Sequence, residues 1–210
     1  MLDQAGDLAR QHDIEVEVGT RGTEPEHLRK YLRIAQRMGA RLLRTMGGWH
    51  KAPAPVDQIK ANFRQVLPEF TDAGVRIALE NYEAYNTSDI AAIVREVDNP
   101  ALGVCLDLTN SFAAMESADE ILKNLAPFTI SVHLKEFTKK GTDYSLESFR
   151  PLLDGTTNWP AVMDAFDATD RRFELRRGHH HAFQRSASAA KLRDSSRTRR
   201  GSRQRAQSAG

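Results

Sequence analysis

Short apolar runs rich in β-branched residues alternate with longer segments of helical periodicity from residue 13 to about residue 166. The apolar runs predict five strands, at residues 14–18, 41–46, 75–80, 102–107 and 128–134. Between them, apolar residues recur every three or four positions, which is typical of amphipathic helices. One more short helix is expected at residues 159–166. Repeated strand–helix units of this kind predict a parallel sheet covered by helices.

Capping patterns mark the starts of several predicted helices. Residues 23–26 and 117–120 both have the capping-box pattern, the first with Pro25 inside its first turn. Asp57 is expected to cap the helix that follows the second strand. These signals place the helix starts shortly after the strand ends, as strand–helix repetition requires.

The placement of polar residues narrows the fold class. No Gly-x-Gly-x-x-Gly pattern follows a predicted strand, which argues against a dinucleotide-binding fold. Polar residues instead stand at the carboxyl ends of strands, where the active sites of β/α barrels lie. A complete barrel has eight strands in about 250 residues, so five strands are too few to close one. We therefore expect an α/β fold of the (β/α)8 TIM-barrel type, incomplete at about five to six β/α units, over residues 1–168.

The net charge of +2 conceals two parts of opposite sign. Residues 171–210 contain 12 Lys or Arg against 2 Asp or Glu, which leaves a balance of −8 for residues 1–170. Because few large apolar side chains occur there, we expect residues 169–210 to form a disordered basic tail. We hypothesise that a reading-frame shift near residue 168 produced it. The alternative is a genuine tail that binds nucleic acid or an anionic surface by charge, but no nucleic-acid motif supports it.

Three predicted strands end on a side chain that can bind a metal. Glu80, Asp107 and His133 stand about 26 residues apart, each at a strand end. Because such ends converge on one face of a barrel, the three side chains are expected to meet there. Carboxylate and imidazole groups suit Mn²⁺, Mg²⁺, Co²⁺ or Zn²⁺. The alternative is that each residue merely caps its strand or pairs with a neighbouring Lys or Arg.

Several short sequence motifs, in their order along the chain, resemble those of the xylose-isomerase-like TIM barrels, a family that includes sugar phosphate isomerases and epimerases. They are EVEVGT (15–20), LRTMGG (43–48), IALEN (77–81), GVCLDLTNS (103–111), VHLKE (132–136) and LLDGTTNW (152–159). The resemblance covers roughly residues 5–168 and makes the predicted strands the third to the seventh of eight. It implies that an eighth strand ends in a Glu that completes the metal site. Glu174 stands too early for that role, in a segment where we expect no strand.

The resemblance implies an activity in carbohydrate metabolism. It implies a metal-dependent sugar or sugar phosphate isomerase or epimerase that moves a proton through an enediolate, with Mn²⁺ as the favoured cofactor. Glu80 would be one of the two carboxylates that exchange the proton, and the missing second carboxylate implies impaired activity. Two alternatives stay open: a zinc-dependent phosphodiesterase like endonuclease IV, and a non-catalytic sugar-binding pseudoenzyme.

Five further residues are candidates for binding a sugar substrate: Asn110, Arg44, Lys135, Trp49 and His50. Asn110 follows Asp107 by three residues and can also be a turn residue. Arg44 precedes Gly47-Gly48 and can alternatively pair with Glu17. Lys135 follows His133 by two residues and therefore points to the same side of the strand. Trp49 and His50 can form a pocket wall, whereas Glu136 is expected to be exposed.

Location and assembly follow from simpler features. The segment at the start of the chain is polar overall and does not resemble a secretory signal, and no apolar run reaches the ~20 residues of a membrane span. We therefore expect a cytoplasmic protein. The single cysteine, Cys105, excludes an internal disulfide and is expected to be a small, semi-buried residue rather than a nucleophile. An incomplete barrel has open sheet edges, which favours self-association into a homo-oligomer.

Overall fold

The computed structural model describes residues 1–49, 52–82, 84–113, 115–136, 151–155, 157–169 and 174–177. The helices are α1 (Leu2–Gln11), α2 (Pro25–Met38), α3 (Val56–Asp72), α4 (Thr87–Val97), α5 (Leu108–Ala113), α6 (Ala118–Leu125) and α7 (Trp159–Asp167). The strands are β1 (Glu17–Gly19), β2 (Leu42–Thr45), β3 (Gly48–Trp49), β4 (Ala52–Pro53), β5 (Arg76–Glu80), β6 (Leu102–Asp107), β7 (Thr129–Leu134) and β8 (Glu174–Arg177).

One parallel sheet organises the described part of the chain. Its strands lie in the order β1-β2-β5-β6-β7-β8, and every neighbouring pair is parallel. The hairpin of β3 and β4 stands apart from this sheet and follows β2 directly in the sequence. Sheet order therefore follows chain order, as in a β/α barrel. The predicted α/β fold of incomplete TIM-barrel type is confirmed.

The two faces of the sheet carry different residues, because successive strand residues point to opposite sides. One face packs against the helices through a continuous apolar core that includes Leu43, Ile77, Leu79, Val104, Leu106 and Val132. Alternate positions on the other face start with small or apolar residues and end in charged ones. Ala78 is followed by Glu80, and Cys105 is followed by Asp107. The same face thus becomes polar at the carboxyl ends of the strands.

The predicted strands agree with the structure except at the first one. β6 has the predicted bounds, and β2, β5 and β7 are each shorter by one or two residues. β1 begins three residues later than expected because residues 12–16 form a turn and an irregular connection after α1. Asp13 adopts a φ of 51°, and the Ile14 N–H donates to the Ala9 carbonyl. α1 itself carries no strong capping signal and was not predicted.

Two expectations about helix starts are corrected and one is confirmed. α2 begins at Pro25 with Glu24 as its cap residue, and no side chain caps it. Thr23 is buried instead, and its hydroxyl accepts a hydrogen bond from Asn62 Nδ2 at 3.4 Å. Asp57 lies inside the first turn of α3, paired with Lys60 rather than capping the helix. The capping box at residues 117–120 is present and begins α6.

The segment after residue 169 also differs from expectation. Residues 174–177, where no strand was expected, form β8, which pairs in parallel with β7. Glu174 pairs with Ser131, and Arg176 pairs with His133. The residue level with His133 on β8 is therefore an arginine. Across the residues that the structure describes, no helix combines the length and the apolar character needed to cross a bilayer.

Candidate metal centre

Three side chains meet at the carboxyl ends of β5, β6 and β7. Glu80, Asp107 and His133 are all buried, and each offers a ligand atom within 4.8 Å of the other two. His133 Nδ1 lies 3.4 Å from Glu80 Oε1 and 4.0 Å from Asp107 Oδ2. Parallel pairing produces this meeting, because Asp107 is in register with His133 and Glu80 is in register with Cys105. The convergence predicted from the strand ends is present.

Asn81 locks the ends of β5 and β6 together. Its Nδ2 donates to the Asp107 carbonyl at 2.8 Å, and its Oδ1 accepts from the Asp107 N–H at 2.7 Å. Asp107 Oδ1 in turn accepts from the backbone N–H groups of Thr109 and Asn110 at 3.0 and 3.3 Å. These bonds hold one Asp107 oxygen in place and leave the other facing His133. The sequence placed Asn81 next to Glu80 but did not suggest this role.

Two cationic side chains flank the three residues. Arg44 Nη1 lies 3.2 Å from Glu80 Oε2, and Lys135 Nζ lies 2.5 Å from Asp107 Oδ2. Asn110 bridges the two sides, since its Nδ2 donates to Glu80 Oε1 at 3.1 Å and its Oδ1 accepts from Lys135 at 3.4 Å. Three of the five residues suggested for substrate binding therefore surround the cluster. Their role toward a substrate stays a prediction.

Glu17 is a member of the cluster that the sequence reading missed as a site residue. Its Oε1 lies 3.4 Å from His133 Nε2 and 3.9 Å from Arg44 Nε. Only the pairing with Arg44 was anticipated. Glu17 lies on the same face as Gly19 at the end of β1, so the alternation along that strand is the signal that could have found it.

The pKa values reflect burial and mutual contact. Burial raises the pKa of Asp107 above its usual range, and the Lys135 charge opposes this only in part. Burial also acts to raise the pKa of Glu80, but the His133 hydrogen bond and the Arg44 charge outweigh it, so its pKa is lowered. Burial disfavours a charged His133, yet contacts with Cys105, Glu17 and Glu80 raise the pKa of this histidine to about 12. Without a cation, His133 is therefore positively charged.

The donor set fits a divalent cation. Glu80 Oε2 and Asp107 Oδ2 are buried, and each faces one cationic side chain, Arg44 Nη1 at 3.2 Å and Lys135 Nζ at 2.5 Å. Buried carboxylates are costly without positive charge beside them, and a cation held by Glu80, Asp107 and His133 would add to the charge that Arg44 and Lys135 supply. Two carboxylates and one imidazole form a mixed oxygen and nitrogen set, which suits Mn²⁺, Mg²⁺, Co²⁺ or Zn²⁺.

The remaining expectations have varied outcomes. Trp49 lies in β3, where its backbone pairs with Ala52, and His50 lies outside the described residues. Cys105 is fully buried rather than semi-buried, and burial raises the pKa of its thiol to about 11. The expectation that Glu136 is exposed was wrong, because it is only 1% exposed. Its carboxylate accepts from Trp159 Nε1 at 2.6 Å and from two backbone N–H groups of residues 153 and 157.

Comparison with known proteins identifies the family. The profile described as Xylose isomerase-like TIM barrel matches residues 20–188. The chain belongs to this family. Among curated proteins, it is 39% identical over 124 residues to the 3-oxo-isoapionate decarboxylase of Pectobacterium atrosepticum, covering 59% of this chain and 45% of that protein. The chain thus spans less than half of the length of this curated relative.

Solved structures show the same fold. The structure of an L-ribulose 3-epimerase superposes with a TM-score of 0.68 at 13% identity, covering 100% of this chain and 83% of the epimerase. The IOLI protein with a bound zinc atom superposes with a TM-score of 0.65 at 18% identity, covering 84% of this chain and 71% of that protein. At such identities the likeness concerns the fold alone. The fold is thus shared with an epimerase, whereas the curated relative is a decarboxylase.

Proposed function

We propose that this chain carries a metal-dependent active site that converts a hydroxy-carbonyl substrate into an enediolate by removing a proton from the carbon next to the carbonyl group, as in a sugar or sugar phosphate isomerase or epimerase. The observation that carries the proposal is the buried cluster of Glu80, Asp107 and His133, whose ligand atoms lie within 4.8 Å of one another. The cluster stands at the carboxyl ends of the strands, where barrel enzymes have their active sites. The burial of both carboxylates supports it further, because a bound cation would offset the cost of burying their charge.

Glu80, Asp107 and His133 Nδ1 are the groups that would hold a divalent cation, with Mn²⁺ favoured and Mg²⁺, Co²⁺ or Zn²⁺ as alternatives. When bound, the cation supplies Lewis-acid polarisation of neighbouring carbonyl and hydroxyl oxygens of the substrate. Asp107 contributes the oxygen that faces His133, while its other oxygen stays bonded to the backbone of residues 109 and 110. The protein thus orients the ligand atoms before a substrate arrives.

Glu80 is the candidate base. Its lowered pKa keeps the carboxylate ionised at neutral pH, so Oε2 can accept a proton from the carbon next to the substrate carbonyl. Arg44 Nη1, at 3.2 Å from this oxygen, orients it and can also hydrogen-bond a substrate oxygen. Asn110 and Lys135 are placed to bind hydroxyl groups on the other side of the cluster. Trp49 and His50 remain proposed pocket walls.

A second candidate reaction is decarboxylation of a 3-oxo acid. There the electron pair of the breaking carbon–carbon bond moves toward the 3-oxo group and forms an enolate, carbon dioxide leaves, and the carbon that lost it then takes up a proton. Where that carbon carries a hydroxyl group, the enolate is an enediolate. Such a reaction needs no second carboxylate on the opposite face of the substrate. This suits a chain in which the β8 residue in register with His133 is an arginine, Arg176, rather than a carboxylate residue. The 39% identity to a decarboxylase favours this candidate as well. Arg44 and Lys135 would then attract the substrate carboxylate.

Deuterium exchange separates these possibilities. The chain is incubated in D2O with Mn²⁺ and either L-ribulose or a 3-oxo sugar acid, and proton NMR follows the carbon next to the carbonyl. An isomerase or epimerase site exchanges deuterium into the ketose, whereas a decarboxylase releases carbon dioxide from the acid. Whichever of the two activities is observed should require Mn²⁺ and should disappear in Asp107→Ala. Stoichiometric Mn²⁺ binding with neither activity would contradict the catalytic proposal and leave a binding protein.

A further inference from the structure

We propose that Glu17 is a positioning residue for the metal centre. In this role its carboxylate accepts a hydrogen bond from His133 Nε2 and thereby fixes the neutral imidazole with Nδ1 directed at the cation. The inference rests on the metal centre proposed above and extends it to a residue outside the ligand set. Metal-binding histidines commonly donate their second ring N–H to a carboxylate, which fixes both tautomer and ring orientation.

The two nitrogens of His133 face different partners. Nδ1 lies 3.4 Å from Glu80 Oε1 and 4.0 Å from Asp107 Oδ2, on the side where a cation would be held. Nε2 lies 3.4 Å from Glu17 Oε1, on the other side of the ring. A nitrogen that binds a cation cannot carry a proton, so the proton of the neutral ring must lie on Nε2. Glu17 is the acceptor placed to receive it.

The contact depends on the curvature of the sheet. Glu17 and His133 are separated by 116 residues, and β2, β5 and β6 lie between their strands in the sheet. The two side chains therefore reach one another across the concave face rather than between neighbouring strands. Both are largely removed from solvent, with side-chain exposures of 12% for Glu17 and 7% for His133. Water is therefore a poor substitute for the carboxylate at this position.

Glu17 has a second neighbour, and the experiment must distinguish a role of Glu17 toward that neighbour from its role toward His133. Arg44 Nε lies 3.9 Å from Glu17 Oε1, so Glu17 could instead serve only to hold the guanidinium. The two roles respond differently to substitution. Glutamine at position 17 keeps an oxygen acceptor for His133 but removes the charge that attracts Arg44. Removing the guanidinium leaves the bond to His133 in place.

The test measures Mn²⁺ affinity of the full chain by calorimetry, with folding checked by circular dichroism. Glu17→Met, which keeps the side-chain length without an acceptor, should weaken Mn²⁺ binding by about 10- to 100-fold. Glu17→Gln should stay within about threefold of the wild type, since it keeps the oxygen acceptor. Glu15→Met, at an exposed position two residues earlier, is the matched control.

A nitrogen-15 NMR spectrum of the wild type with one equivalent of Zn²⁺ provides a readout that needs no variant at position 17. His133, assigned with His133→Gln, should carry its proton on Nε2. A proton on Nδ1 would overturn the inference, as would Glu17→Met binding Mn²⁺ as tightly as the wild type. If Glu17→Met does not fold, the wild-type spectrum decides. Failure of the wild type to bind either metal would overturn the metal centre itself, and this inference with it.

Discussion

Replacing Trp159 with phenylalanine removes the indole N–H that donates to the buried Glu136 carboxylate at 2.6 Å. Phenylalanine fills part of the buried indole space, so the lost hydrogen bond sets a lower limit on the destabilisation. Hydrogen bonds to a charged group contribute about 1.5–3 kcal/mol, and we expect a loss of about 2 kcal/mol in the free energy of unfolding. For a chain of this size that corresponds to a decrease in Tm of about 4–8 °C. The change also loosens the backbone next to Lys135, which precedes Glu136.

Urea denaturation followed by circular dichroism measures this effect for Trp159→Phe, Glu136→Gln and the double variant. The two single changes should be coupled, because each removes part of the same hydrogen bond. Glu69→Gln is the control, since Glu69 is a half-exposed carboxylate paired with Arg29, and it should cost no more than about 0.5 kcal/mol. Trp159→Phe within about 0.5 kcal/mol of the wild type, or additive single and double variants, would refute the anchoring role of Glu136.

Other regions of the site give further expected outcomes. Asn81→Ala should destabilise the chain by about 2–4 kcal/mol in urea denaturation, because it removes two buried bonds to the backbone of Asp107 and leaves its N–H unsatisfied. Metal affinity should rise with pH across the neutral range, and Mn²⁺ binding should release protons, because the raised pKa of His133 keeps the metal-free imidazole charged. Calorimetry in buffers of different ionisation enthalpy measures the proton release. A binding enthalpy that does not depend on the buffer would contradict this prediction. The Cys105 thiol, whose pKa burial raises to about 11, should react with a thiol reagent only after unfolding, and rapid labelling of the native chain would show that β6 opens locally.

The strand ends of the metal cluster could be predicted because two rules act together. The apolar runs before Glu80, Asp107 and His133 are strong enough to set their strand boundaries to within two residues. A parallel sheet then brings successive carboxyl ends to one edge whatever their separation in sequence. The identity of the three ligand candidates therefore needed only local patterns and one topological rule.

Contacts that depend on curvature or on distant loops could not be predicted in the same way. Glu17 lies on a strand of three residues whose predicted start was three residues too early, and it meets His133 only because the sheet curls. Glu136 looked like a solvated charge after a strand, but its donors come from residues 153–159, which a local pattern does not connect to it. β8 consists of polar residues apart from one leucine, so its pairing with β7 leaves no periodic signal.

X-ray diffraction at the zinc absorption edge, from crystals of the full chain grown with Zn²⁺, tests the metal centre most directly. We expect an anomalous peak at about 2.0–2.2 Å from His133 Nδ1 and from one carboxylate oxygen each of Glu80 and Asp107. The same peak should be absent in crystals of Asp107→Ala. A wild-type peak that touches none of these three side chains, or no peak at their meeting point, would contradict the account.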